Sequence, residues 1–173
     1  MADLDKKTWI QKGLSGIKQL GIMLLLFLVV STAVDLWRGK DIPTQDLPHI
    51  SALDLDGNLV DVMAMSQEAP VLVYFWGTWC PVCNFVSPSV DILSNYYPVV
   101  SVAMSSGSDE RLAHFLDDKG YTLSTINDKQ SFLAREWSVQ VTPTVMVFKD
   151  GELAHYTTGF TSLPGMWWRM VFA

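Results

Sequence analysis

Both cysteines of the chain fall within one stretch, "VLVYFWGTWCPVCNFVSPSV", Val71 to Val90. An apolar run with the length and flanks of a buried strand leads through Gly77 into Cys80-Pro81-Val82-Cys83, and a helical pattern follows. A strand turning sharply into a helix leaves few architectures open. The run must lie inside a sheet, and the helix must pack back onto it. The thiols are then fixed at the turn, where a structural bridge, a metal clip or a redox pair could be built.

The chain from His49 onward reads as alternating strands and helices. "HISALDLDGNLVDV", His49 to Val62, predicts a hairpin around Asp56-Gly57. Pro81 to about Tyr97 predicts a helix. "VVSVAM", Val99 to Met104, predicts a second buried strand. "SDERLAHFLDDKG" predicts a helix capped by Ser108, with Leu112, Phe115 and Leu116 on one face and Gly120 at its end. "LSTI" reads as a short strand and "KQSFLAREW" as a short helix. "TVMVFKDGELAHYTTG", Thr144 to Gly159, is a hairpin turning at Asp150-Gly151, and a last helix starts near Ser162. This order implies a central mixed sheet covered on both faces.

Among the metal accounts of the pair, zinc lacks ligands. A structural site takes four, and His49, His114 and His155 are scattered. Copper(I) can use two thiolates, so a copper(I)-binding envelope protein stays open as the alternative. A bridge closing so small a loop would restrict the unfolded chain little. Redox chemistry accounts best for the local sequence. Cys80 is placed at the helix cap and Pro81 at the first helical position, where its missing N–H costs nothing. A sulfur there faces the free N–H groups of the first turn, which favour thiolate. Cys80 is therefore the expected exposed nucleophile. Cys83, three residues on and on the same face, is the resolving thiol that releases a bound partner.

"QLGIMLLLFLVVSTAV", Gln19 to Val34, carries no charge. As a helix it would span ~24 Å, slightly less than the ~30 Å hydrocarbon core, with Leu36 and Trp37 extending its reach. Lys6, Lys7, Lys12 and Lys18 precede it and only Arg38 and Lys40 follow closely, so the positive-inside rule leaves the N-terminus in the cytoplasm. The expected organisation is a cytoplasmic segment 1–18, a transmembrane anchor 19–37, a linker 38–47 and a domain 48–173. A cleaved signal peptide ending near Ser31–Ala33 competes with the anchor, but Asp3 and Asp5 suit it poorly. Either reading exports the domain; a buried core helix would not. The chain is 49% hydrophobic with a net charge of −6, which supports a substantial core and argues against nucleic acid or an anionic membrane surface as the main partner.

"FWGTWCPVC" resembles the active-site segment of the thioredoxin superfamily. Pro88 matches the helix proline of those folds, and "VQVTPT", Val139 to Thr144, matches their cis-proline segment. "FKDGE" followed by "TTGF" matches their closing hairpin and final helix. The resemblance runs from Pro48 to the end. With the N-terminal hairpin and the anchor, it points to the membrane-anchored periplasmic branch that includes cytochrome c maturation thioredoxins. Within that branch the chain is most similar to the bacterial suppressors of copper sensitivity.

The resemblance implies a thioredoxin-like α/β fold with an N-terminal β-hairpin extension, a Cys80–Cys83 disulfide, a cis Thr142–Pro143 bond beside the sulfurs, and no cofactor. It implies protein thiol or disulfide substrates, positioned by Trp79, Pro81, Thr142 and Pro143. A membrane thiol-reductase in the inner membrane would donate electrons. Trp76, Met104 and Met146 are expected in the core, and Trp167 and Trp168 are expected to pack the last helix. Two positions depart from the pattern. Tyr74 stands where thioredoxin has a buried aspartate, and "NFVSP" after Cys83 lacks a glutamate common in the cytochrome-maturation proteins. The proton acceptor for Cys83 is thus unassigned.

Overall fold

The computed structural model describes residues 47–173 and, before them, Lys18, Gln19, 21–23, Leu25, Leu26, Val29 and Val30. The expected cytoplasmic segment up to residue 17, much of the expected anchor, the cleavage candidate at Ser31–Ala33 and the linker up to residue 46 lie outside the described residues. The chain divides into two compact units, 1–40 and 41–173. In the first, the described residues are helical, and Ile22, Met23, Leu25, Leu26, Val29 and Val30 expose their aliphatic side chains. Among the described residues no helix is long and apolar enough to cross a membrane.

The second unit opens with a hairpin of β1 (Ser51–Leu53) and β2 (Leu59–Asp61), in which Ser51 pairs with Asp61. Its turn is organised by the Asp54 carboxylate, which accepts from the N–H groups of Asp56 (3.1 Å) and Asn58 (2.8 Å). The second strand stops at Asp61 rather than running through Val62 as its sequence suggests. The Asp61 carboxylate accepts from the Ala64 N–H at 3.0 Å and so caps a helix, α1 (Val62–Glu68).

A mixed sheet follows, in the order β5-β4-β3-β6-β7. It comprises β3 (Val71–Trp76), β4 (Val99–Met104), β5 (Ser124–Asp128), β6 (Thr144–Lys149) and β7 (Glu152–Thr158). The β3–β4 and β4–β5 pairs are parallel; β3–β6 and β6–β7 are antiparallel. The intervening helices are α2 (Cys83–Ser94), α3 (Asp109–Lys119) and α4 (Phe132–Glu136), and α5 (Leu163–Val171) closes the chain. Ser108 and Ser162 cap α3 and α5, and Gly120 ends α3 at φ +67°. The β6–β7 turn has φ +53° at Asp150 and +79° at Gly151, which matches the right-handed twist of a tight hairpin.

Every residue of the central strand β3 is buried, and successive side chains serve opposite faces. Leu72, Tyr74 and Trp76 join α2, Leu112 and Leu116 of α3, and Met166 and Met170 of α5 in one cluster. Val71, Val73 and Phe75 join Val62 of α1, Ala134 of α4, Trp137 and Met146 in the other. Each fully buried aliphatic or aromatic side chain contributes about 1.5–3 kcal/mol. Together they hold β3 rigid, and the cysteine turn is the direct continuation of that strand.

Candidate redox site

The site begins where β3 leaves the sheet. Cys80 donates its N–H to the Gly77 carbonyl at 3.0 Å, closing a turn that brings the chain round to α2. The sulfurs of Cys80 and Cys83 are bonded, with their Cα atoms 5.3 Å apart. The Cys83 N–H points at the Cys80 sulfur, 3.1 Å away. The regular helix starts at Cys83, two residues later than the proline pattern predicts. The reason is local: Asn84 and Phe85 donate to the carbonyls of Pro81 and Val82, so the first turn is wound with three-residue bonds. Cys80 Sγ still receives a first-turn N–H, as a cap would.

Cys80 was expected to be exposed, yet only 3% of it is, against 1% of Cys83. The tight turn folds the disulfide back over the head of α2, and both sulfurs join the core cluster that holds Trp76 and Val86. The open surface belongs to their neighbours. Pro81 and Val82 are exposed between the cysteines. Trp79 is 57% exposed, with its indole N–H donated to the Met104 carbonyl at 3.0 Å. That placement requires Gly77: a Cβ there would lie 2.6 Å from Trp79 Nε1.

Two features of the site were not read from the sequence. Ser106, in the loop after β4, accepts from the Thr78 N–H at 3.1 Å and donates to the Met104 carbonyl, so this loop braces the cysteine turn. A serine between Met104 and the Ser108 cap offers no pattern that would announce this. The second feature is a buried hydroxyl pair, Tyr74 with Ser87, 2.9 Å apart. Burial pushes the Tyr74 phenol well above its ordinary pKa, with the Ser87 bond acting the other way. Trp76 is in the core as expected, its indole donating to Ser101 Oγ at 2.6 Å.

The Thr142–Pro143 bond is cis. Phe75 pairs with Thr144, so the register places Pro143 at the end of the sheet from which the cysteine turn departs. Pro143 is buried and accepts from the Gly159 N–H at 2.7 Å; Thr142 is partly exposed. The structure therefore gathers Trp79, Cys80, Pro81, Cys83 and the Thr142–Pro143 segment at one end of the sheet. Among the described residues no cluster of His, Cys, Asp and Glu is arranged to hold a metal.

The AhpC/TSA family profile matches residues 43–156. The chain belongs to the AhpC/TSA family, within the thioredoxin-like superfamily. A "thioredoxin-like protein" of Haemophilus influenzae is 36% identical over 152 residues, covering 87% of this chain and 90% of that one. The fold is shared with a putative thiol:disulfide interchange protein DsbE of Chlorobium tepidum, at TM-score 0.66 and 18% identity over 76% of this chain and 98% of that chain. It is shared equally with the exposed lipoprotein thioredoxin Etrx1 of Streptococcus pneumoniae, at TM-score 0.65 and 18% identity over 73% and 100%. This AhpC/TSA member thus has the fold of thiol–disulfide oxidoreductases, with Cys80 and Cys83 at disulfide distance.

Proposed function

We propose that this protein is a membrane-anchored periplasmic thiol–disulfide oxidoreductase that reduces disulfides in other proteins. The observation that carries the reading is the Cys83 N–H aimed at Cys80 Sγ from 3.1 Å. In the reduced protein that donor and the head of α2 stabilise a thiolate on Cys80. The thiolate attacks one sulfur of a partner's disulfide, and the other partner sulfur leaves. Cys83 then gives up its proton and attacks Cys80 Sγ, and the second partner sulfur leaves. The partner gains two electrons and, with two protons, two thiols; the protein ends with the Cys80–Cys83 bond. Trp79, Pro81, Thr142 and Pro143 share the end of the sheet from which the cysteine turn departs, and an incoming segment would be positioned by them.

Three features support the membrane part of the reading. They are the uncharged run from Gln19 to Val34, the lysines before it, and the exposed aliphatic side chains of its described residues. A bacterial periplasm is kept oxidising, so a reductant there needs electrons from across the membrane. A tether raises its effective concentration near a membrane thiol-reductase.

The test is acid quenching of cells, alkylation and a gel shift. The pair is expected mostly reduced, becoming oxidised when the membrane thiol-reductase is deleted. A pair fully oxidised in wild-type cells and unchanged by that deletion would contradict the reductase reading.

A further inference from the structure

The last helix carries aromatic side chains that the core does not use. Met166 and Met170 of α5 face inward, while Trp167, Trp168, Val171 and Phe172 lie outside. Trp168, expected to pack the helix, is 64% exposed and meets the Phe172 ring at 4.0 Å between centroids. Trp167 lies 5.1 Å from the ring of Tyr96 and 5.6 Å from that of Tyr97, just past the end of α2. Ile92, one turn before Tyr96, is exposed as well. A single apolar patch therefore runs from the C-terminal end of α2 across α5.

The chemistry of the patch is that of a headgroup boundary. Trp and Tyr pair an apolar ring with a polar N–H or O–H, and they concentrate where hydrocarbon meets water. The one charged side chain on α5, Arg169, is partly buried and donates to the Gly165 carbonyl at 2.8 Å, so the patch would meet a bilayer through its aromatic rings. The chain also carries its own route to a bilayer, the apolar run from Gln19 to Val34. Between that anchor and the domain, the ten residues 38–47 reach at most about 35 Å fully extended.

We propose that the patch of Tyr96, Trp167, Trp168, Val171 and Phe172 rests on the lipid headgroup layer of the membrane that anchors the chain, an inference that depends on the anchor reading above. It occupies the C-terminal end of α2, whereas Cys80 and Cys83 occupy the other end, about 18 Å along the helix axis. Docking therefore leaves the cysteine turn, with its exposed Trp79, Pro81 and Val82, free to meet partners.

The test uses the full chain with Cys80→Ser and Cys83→Ser, carrying a nitroxide on Phe172→Cys. A control carries it on Glu68→Cys, in α1 on the opposite face of the sheet. Both are reconstituted in phosphatidylcholine–phosphatidylglycerol vesicles and measured by flotation and by power saturation with oxygen and a nickel chelate. The expected result is flotation of both, with nickel accessibility several-fold lower at residue 172 than at 68, and restored to the value at 68 by Trp168→Ser. Flotation with residue 172 as accessible as 68 overturns the docking and leaves the anchor standing. Shielding accompanied by dipolar broadening that vanishes on dilution with unlabelled chain assigns the patch to a second copy and overturns the lipid assignment. Failure to float removes the anchor, and the docking falls with it.

Discussion

Tyr74 of β3 and Ser87 of α2 share a hydrogen bond of 2.9 Å between two side chains that are both buried. Ser87 is one helical turn after Cys83, so the pair ties the strand that leads into the cysteine turn to the helix that leads out of it. Tyr74→Phe should cost about 1–2 kcal/mol, because it strands the Ser87 hydroxyl in the core. Adding Ser87→Ala should recover part of that loss rather than double it, since no buried donor is then left alone. Urea denaturation of the two single variants and the double variant checks the cycle. The phenol also stays neutral across the range in which thiols titrate, because burial raises its pKa. Tyr74→Phe should therefore leave the pH profile of Cys80 alkylation where it was.

The cysteines should be chemically unequal. In the reduced protein Cys80 receives the Cys83 N–H and the field of the α2 N-terminus. Its pKa should lie below the free-thiol value of about 8.5, and it should alkylate faster than Cys83 near neutral pH. Cys83→Ser should accumulate mixed disulfides through Cys80, whereas Cys80→Ser should lose activity and trap little. Rates that are equal by mass spectrometry would remove the activated thiol.

Gly77 is required by the Trp79 ring that lies against it. Gly77→Ala places a methyl group 2.6 Å from Trp79 Nε1, so the exposed ring must shift and its 3.0 Å bond to Met104 is put at risk. The expected result is about 0.5–1.5 kcal/mol of destabilisation, the worth of one hydrogen bond, and slower reduction of a protein disulfide. Indole displacement should be visible as a change in tryptophan emission relative to Trp79→Phe. An unchanged spectrum with unchanged turnover would show that the ring is not held there.

Asp54 gives the hairpin a defined pH response. Burial works to raise its pKa, but hydrogen bonds from Asn58, Ser124 and Asp56 outweigh it, so the carboxyl titrates below its ordinary value. A depressed carboxylate stabilises the fold above its unfolded pKa, and that contribution is lost as pH falls through the folded one. Asp54→Ala should cost about 1–2 kcal/mol at neutral pH from its lost hydrogen bonds, and the gap to the parent should narrow as pH drops below about 4. Paired urea titrations at pH 7 and pH 3 measure it.

Much of this fold is legible in the sequence because its signals are local and strong. Val71–Trp76 is apolar at every position and becomes the central strand. Ser108 and Gly120 bracket α3 as their chemistry dictates, and Asp150-Gly151 makes the tight hairpin turn. What escaped depends on contacts between distant segments or on competition between two local options. Asp61 could continue a strand or cap a helix, and its hydrogen bond to Ala64 decides. Ser106 braces Thr78 from 28 residues away. The burial of Cys80 follows from how the turn folds back onto the Trp76 cluster, which spacing alone does not encode. Trp168 fits a helical apolar face, yet that face is wider than the core it meets.

Whether Cys80 and Cys83 form a working redox couple is tested most directly by equilibration. The protein is brought to equilibrium in a series of glutathione buffers, quenched in acid and alkylated, and its thiols are counted by mass. The account predicts that both thiols appear together in one two-electron transition within the span of the series, and that Cys80→Ser abolishes it. A bond that persists at every ratio, or thiols that never pair, would contradict it.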